Sequence, residues 1–235
     1  MKTLFQLIRW DLTLQLRYNI VTIAVIIAAL YILLLKLLPE GNINSLRMIL
    51  LLSDPTMFGI LFTGVLVLYE KDNNTLNALV VTPLKSITYL CSKAISLTLI
   101  ALPITLVIAS FGNDLHLNLF YLLLSVTLSS ILFVFLGFIV VSRSSGFNQF
   151  IIKFALFTLP VSIPVLGLLD IFHLDLYYLI PTQATILLLK AGFGYSIKFW
   201  QLIYSIIYLI IWILLSLYLA SEAYKKNLLN GKNYE

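Results

Sequence analysis

Six stretches of this chain are so long and so apolar that only a lipid bilayer suits them. They run Ile20–Leu38, Met48–Leu68, Ala94–Phe111, Leu119–Val141, Phe150–Leu169 and Phe199–Ala220. A hydrocarbon core about 30 Å thick takes roughly 20 residues of helix at about 1.5 Å each. The runs are continuous and lack the every-second-residue alternation of barrel strands, so helices are required. The fifth run differs from the others, with Lys153 near its start and Pro160 and Pro164 inside it. Of the 235 residues 61% are hydrophobic and 11% charged, and what remains between the runs is too short for a soluble domain. The expected architecture is one all-α integral membrane domain over 1–235, with six transmembrane helices.

The N-terminal segment does not read as a cleaved signal peptide. Its apolar run is about twice the length of a secretory core region, and no small-residue cleavage site follows. Residues 2–18 instead predict an interfacial amphipathic helix. Lys2, Gln6, Arg9, Thr13 and Arg17 fall within an arc of about 80° at roughly 100° per residue. Leu4, Leu7, Ile8, Leu12 and Leu14 fill the other sides, and Trp10 and Tyr18 suit headgroup level. Asp11 points away from the polar stripe and is expected to bond to a neighbouring helix or to nearby Arg residues.

Orientation follows from Lys and Arg. With the N-terminus inside, the inner segments hold Lys2, Arg9, Arg17, Lys71, Lys85, Lys93, Arg143, Lys153, Lys225, Lys226 and Lys232. The outer side holds Lys36, Arg47, Lys190 and Lys198. Eleven against four satisfies the positive-inside rule and places both termini, and the loops around 69–93 and 142–149, in the cytoplasm. The same bias accounts for the net charge of +5 without a nucleic-acid partner.

Enzyme chemistry finds little support. His116 and His173 both fall in short outer loops, and no metal cluster or His-based dyad can be assembled from them within the spans. Cys91 is the lone cysteine and cannot form an internal disulfide. Gly59 and Gly64 have the spacing that begins a phosphate loop, but no Lys-Ser/Thr follows and the segment lies in a span. The spans lack paired ionisable groups, which ranks a membrane enzyme last among the readings. No cofactor and no metal is expected.

One polar island, Tyr69–Lys93, interrupts the apolar chain. Asp72, Asn73 or Asn74 can cap a helix start, and Glu70 and Asp72 suit its positive end. Leu76, Leu79, Val80 and Pro83 follow at i, i+3, i+4 and i+7 and make one apolar face. Pro83 stops the helix near Thr82. Two turns do not hold alone, so this helix needs a surface to rest on, either the bilayer interface or a groove in a partner.

The island resembles the cytoplasmic loop of permease subunits of type 2 ATP-binding-cassette (ABC) exporters. The matching residues are Glu70, Thr75, Leu76, Leu79, Thr82, Pro83, Tyr89 and Lys93. The layout also matches: an interfacial N-terminal helix, six spans, both ends inside and an extended connection before the last span. Two positions depart from the pattern, Asn74 where the family has Gly and Asn77 where it has an acidic residue. Asn tolerates left-handed backbone, so the turn survives; the lost charge at Asn77 alters the partner contact.

The resemblance implies a bacterial plasma-membrane transport subunit that is not itself an enzyme. A separate cytoplasmic ABC ATPase, two copies per complex, would drive it, and it would pair with a second permease copy or a sister permease. Glu70, Thr75, Leu76, Leu79, Val80, Thr82 and Pro83 would then form the coupling element within the loop 69–93. Moving a two-state permease from 1:99 to 99:1 takes roughly 5.5 kcal/mol of differential binding, so the loop must transmit force. The exported compound would be an amphiphilic drug, antibiotic, peptide or lipid-like molecule. A six-span scaffold or lipid-handling protein without an ATPase is the competing class.

Two further features stand out. Asp54, followed by Pro55, lies about ten ångströms inside the outer boundary, where a carboxylate is expensive and usually functional. It is either a transport residue or the partner of Arg47 at a shortened helix end. Residues 170–197 are too polar to span; with Ile186–Leu189 between Pro181 and Gly192, the resemblance makes them one or two short helices dipping into the outer leaflet. Ala24 with Ala28 and Ser125 with Ser129 offer small-residue faces for close helix contact.

Overall fold

The computed structural model describes residues 2–37, 43–73, 75, 85–111, 117–169, 171–172 and 174–229. Every regular element among them is helical. Helix α1 is Lys2–Arg17 and α2 is Ile20–Leu37. The second span consists of α3 (Ile43–Thr56), a π-helical turn at Met57–Phe62, and α4 (Thr63–Asp72). Then come α5 (Ser86–Ser110), α6 (Leu119–Ser142), α7 (Phe147–Ser162) and the single turn α8 (Val165–Leu168). A 3-10 turn at Asp175–Leu179 leads into α9 (Pro181–Gly192), and α10 (Phe199–Ala223) ends in a π-helical stretch, Tyr224–Leu229. This is an all-α integral membrane protein.

Among the described residues five helices are long and apolar enough to cross a membrane: Ile20–Leu37, Ser45–Asp72, Ser86–Ser110, Leu119–Ser142 and Phe199–Lys226. The expected span at Phe150–Leu169 is a shorter apolar helix, Phe147–Ser162, followed by a break and the turn α8. Proline supplies no N–H and its ring crowds the carbonyl four residues back. With prolines at 160 and 164, the ladder cannot continue through the end of this run.

The helix α1 turns into α2 through Asn19, whose φ of 57° lies in the left-handed region that Asn tolerates. The buried face of α2 carries Ala24 and Ala28, as close helix contact requires. At the centre, α6 crosses the second span with the two backbones touching. A Cβ on Gly59 would lie 2.4 Å from the Phe133 Cβ, and one on Gly137 would lie 2.9 Å from the Ile60 Cα. The small residues on both sides make this crossing possible. The π-helical turn that carries Gly59 follows Pro55, where the missing N–H already breaks the regular ladder.

Around this centre the helices differ in what they bury. In the most apolar stretch of each span, 72% is buried for α6, 64% for the second span and 61% for α5, against 22% for α2 and 17% for the last span. The first three form the core; α2 and the last span turn most of their Leu, Ile and aromatic side chains outward, as lipid-facing helices do. The short helix α9 does not lie along the surface. Nearly all of its side chains are buried, packed between α6 and α10, and Ser125 of α6 donates to the Thr185 carbonyl at 3.2 Å.

Candidate functional site

Helix α5 begins at Ser86, eight residues before the expected third span, and α4 continues through Asp72. The polar island is therefore flanked by helix on both sides, and Glu70 and Lys93 belong to the helix bundle. Lys93 is not a loop charge. Its side chain is fully buried, and so are the residues it meets: Asp11 at 2% exposure and Glu70 at 3%.

The Lys93 Nζ donates to Asp11 Oδ1 at 2.5 Å and to Glu70 Oε1. The other Glu70 oxygen, Oε2, accepts the hydroxyl of buried Tyr89. Tyr89 and Lys93 are four residues apart on one face of α5, and Asp11 and Gln15 are four apart on α1. The Gln15 amide donates to Ser96 Oγ at 2.8 Å, a second tie between the same helices. Three separate elements, α1, α4 and α5, are thus joined by one lysine. Paired ionisable groups do exist at the base of the spans, contrary to the expectation that the spans lack them. The sequence periodicities of α1 and α5 are separate, so neither shows that the off-stripe Asp11 meets Lys93.

The electrostatics are unequal. One ammonium faces two carboxylates, and the Asp11 Oδ2 has no hydrogen-bond partner among the described residues. Burial pushes the Asp11 carboxyl above its ordinary range, with Lys93 pulling it back. Glu70 has both oxygens engaged. Aromatic rings close the cluster: Tyr224, at the end of the last span, lies 5.0 Å from the Tyr89 ring and Phe138 of α6 lies 5.7 Å from it. Ser86 and Ser221 hydroxyls meet at 3.0 Å and bring the end of α10 to the start of α5. The two ends of the polar island are therefore anchored to α1 and to the last helix together.

Beside the cluster lies a cavity of about 220 Å³, lined by Trp10, Arg17, Tyr18, Tyr69 and Thr75 among others. The Tyr18 and Tyr69 rings approach to 3.8 Å between centroids at its edge. Thr75 thus opens onto the gap between α1 and the island. Leu76, Leu79, Val80, Thr82 and Pro83 lie outside the described residues, as do His116 and His173.

Asp54 is elsewhere in the second span. It is 1% exposed, and its Oδ2 has no hydrogen-bond partner among the described residues. Its chain neighbour Ser53 bonds the Tyr31 hydroxyl of α2 at 3.0 Å. Buried Arg47 lies over the Phe193 ring, 5.6 Å from its centroid.

The chain is thus a bundle of apolar helices in which one buried lysine joins the roots of the polar loop to α1. The profile of the fluoroquinolones export permease protein family matches residues 2–232, and the chain belongs to that family. Two similar relatives are the fluoroquinolones export permease proteins of Mycobacterium tuberculosis strains CDC 1551 / Oshkosh and ATCC 25618 / H37Rv. Each is 31% identical over 216 residues, covering 90% of this chain and 90% of the relative. The resemblance to export permeases holds along the chain, and the protein is a multi-pass membrane permease.

Proposed function

We propose that this permease is the membrane subunit of an ABC exporter, moved by a separate cytoplasmic ATPase that seats on the island 69–93. Glu70, Thr75, Leu76, Leu79, Val80, Thr82 and Pro83 form the coupling element. Both termini and the island face the cytoplasm, and the permease works with a second copy of itself or a sister permease. The exported compounds are amphiphilic, and the names of the relatives favour fluoroquinolones among them.

The observation that carries this reading is the lock at Lys93. It ties both roots of the loop to the interfacial helix α1 and, through Tyr89 and Ser86, to the last helix. A push on the loop therefore reaches several helices as one body, because buried ion pairs are expensive to separate. A scaffold without an ATPase has no use for such a rigid connection.

The test is Leu79→Asp. The apolar face of the loop helix offers roughly 1.5–3 kcal/mol for each side chain buried in a partner groove, and a charge placed there opposes docking by several kcal/mol. The ATPase is expected to dissociate or to lose substrate-stimulated hydrolysis while the permease still inserts. Full co-purification with normal stimulation would remove the coupling role. A cysteine at exposed Lys225, in a protein with Cys91 replaced by Ser, is expected to be shielded from an impermeant thiol reagent applied outside. Labelling of that residue in intact cells would invert the topology.

A further inference from the structure

A second cavity, of about 240 Å³, lies at the end of the bundle opposite the lock and carries charges of both signs. It is lined by Gly167 and Leu168 of α8, by Asp175, Tyr177 and Tyr178 of the 3-10 turn, and by Gln183 and Lys190 of α9, with Leu174 and Ile186. Asp175 is exposed and Lys190 half-buried. Neither takes part in an ion pair among the described residues, although both line one recess.

The walls are fixed. The Tyr177 ring is buried against Gly167, where a Cβ would meet it at 2.9 Å, and its hydroxyl donates to the Phe172 carbonyl at 3.2 Å. The last span holds Tyr178 from the other side. Gln201 donates to the Tyr178 hydroxyl at 3.0 Å, Tyr204 donates to its carbonyl, and Trp200 stacks on its ring at 5.9 Å. Tyr208 secures the next residue by donating to the Leu179 carbonyl at 2.6 Å. Small-molecule sites combine an apolar or aromatic wall with a few fixed polar groups, in volumes from roughly 300 Å³ upward. This recess is near that lower end and partly open, so it suits one ring system with groups extending from it.

We infer that this cavity is a subsite for an aromatic zwitterion, with Lys190 facing its carboxylate, Asp175 its protonated amine, and Tyr177 and Tyr178 its ring. Two opposite charges left apart within one recess favour a ligand that brings both complements at once. A singly charged ligand leaves one of them without a partner. The export reading supplies only the choice of probe, since quinolones with a free amine are aromatic zwitterions. If the charge count gives the right orientation, the cavity lies on the outer side, where a compound leaves.

The test is equilibrium binding to the purified protein in nanodiscs of phosphatidylglycerol. Three probes are compared: a quinolone bearing free carboxylate and free amine, its carboxylate ester, and its N-acylated form. The wild type is expected to prefer the zwitterion over both derivatives. Lys190→Gln should weaken the zwitterion and the N-acylated acid by about tenfold while sparing the ester. Asp175→Asn should weaken the zwitterion and the ester by about tenfold while sparing the N-acylated acid. Absent binding, or variants that act equally on all three probes, would overturn the subsite. Displacement of the quinolone by added phosphatidylethanolamine would also overturn it, because the occupant is then a lipid headgroup. Export from cells by the intact complex is scored separately. Lost export with the binding pattern intact sinks the export reading and leaves the subsite standing; normal export without the pattern does the reverse.

Discussion

The second span buries two carboxylates, and the bundle treats them in opposite ways. Glu70, in its last turn, has Lys93 on one oxygen and the Tyr89 hydroxyl on the other. Asp54, in its first half, is just as inaccessible yet keeps an oxygen with no hydrogen-bond partner among the described residues. Burying a carboxylate with incomplete pairing is costly, so an arrangement of that kind persists where function needs it. Burying one with a lysine and a tyrosine fastens helices together. The first carboxylate belongs to the mechanics of the bundle; a transport role for the second is what the Asp54→Asn comparison below tests.

The largest expected effect tests the fastened end. Lys93→Ala leaves two buried carboxylates without their cation, and breaking such a pair costs about 3–5 kcal/mol. Thermal unfolding in detergent, followed by size-exclusion chromatography, should show a large drop in the midpoint. The triple change Lys93→Met, Asp11→Asn, Glu70→Gln removes every charge and should recover most of it. An undiminished midpoint in Lys93→Ala would dissolve the contrast between the two ends.

Glu70→Gln comes next. The amide can still meet Tyr89 but faces Lys93 without charge, and a loss of about 1–3 kcal/mol is expected. Asp11→Asn should lose less, under about 1 kcal/mol, because burial already disfavours the ionised Asp11. The order of the two, read from the same melts, sharpens which carboxylate Lys93 serves. The reverse order would make α1 the main anchor.

At the other end, Asp54→Asn should leave the melting midpoint unchanged within about 1 kcal/mol, since it removes an incompletely paired charge from a buried place. Export should nevertheless fall. If abundance and export fall by the same factor, Asp54 is structural and the two carboxylates are alike after all. The smallest effect is expected for Lys85→Ala: Lys85 is exposed at the start of α5, and such surface changes stay within about 0.5 kcal/mol.

The sequence carried the class of molecule well because membrane insertion is a property of each segment alone. Hydropathy places four of the spans to within a few residues, and the proline pair in the fifth run marks where its helix stops. It misjudged the third span, since Ser86–Lys93 reads as polar by composition although its inward face, Tyr89 and Lys93, is buried. Asp11 was already conspicuous as the residue off the polar stripe, and its expected bond to a neighbouring helix is the one to Lys93.

What the chain alone determined is therefore one-dimensional: which segments enter lipid, which loop is polar, and which residues break a local pattern. Which charges meet was decided only by tertiary structure. Asp11, Glu70 and Lys93 stand far apart along the chain, and each alone is a liability in an apolar setting. Their energies change sign when packing brings them within hydrogen-bond reach. Asp54 shows the other outcome of the same physics, a buried carboxylate with one oxygen left without a hydrogen-bond partner among the described residues, which no reading of residues 50–60 could foresee.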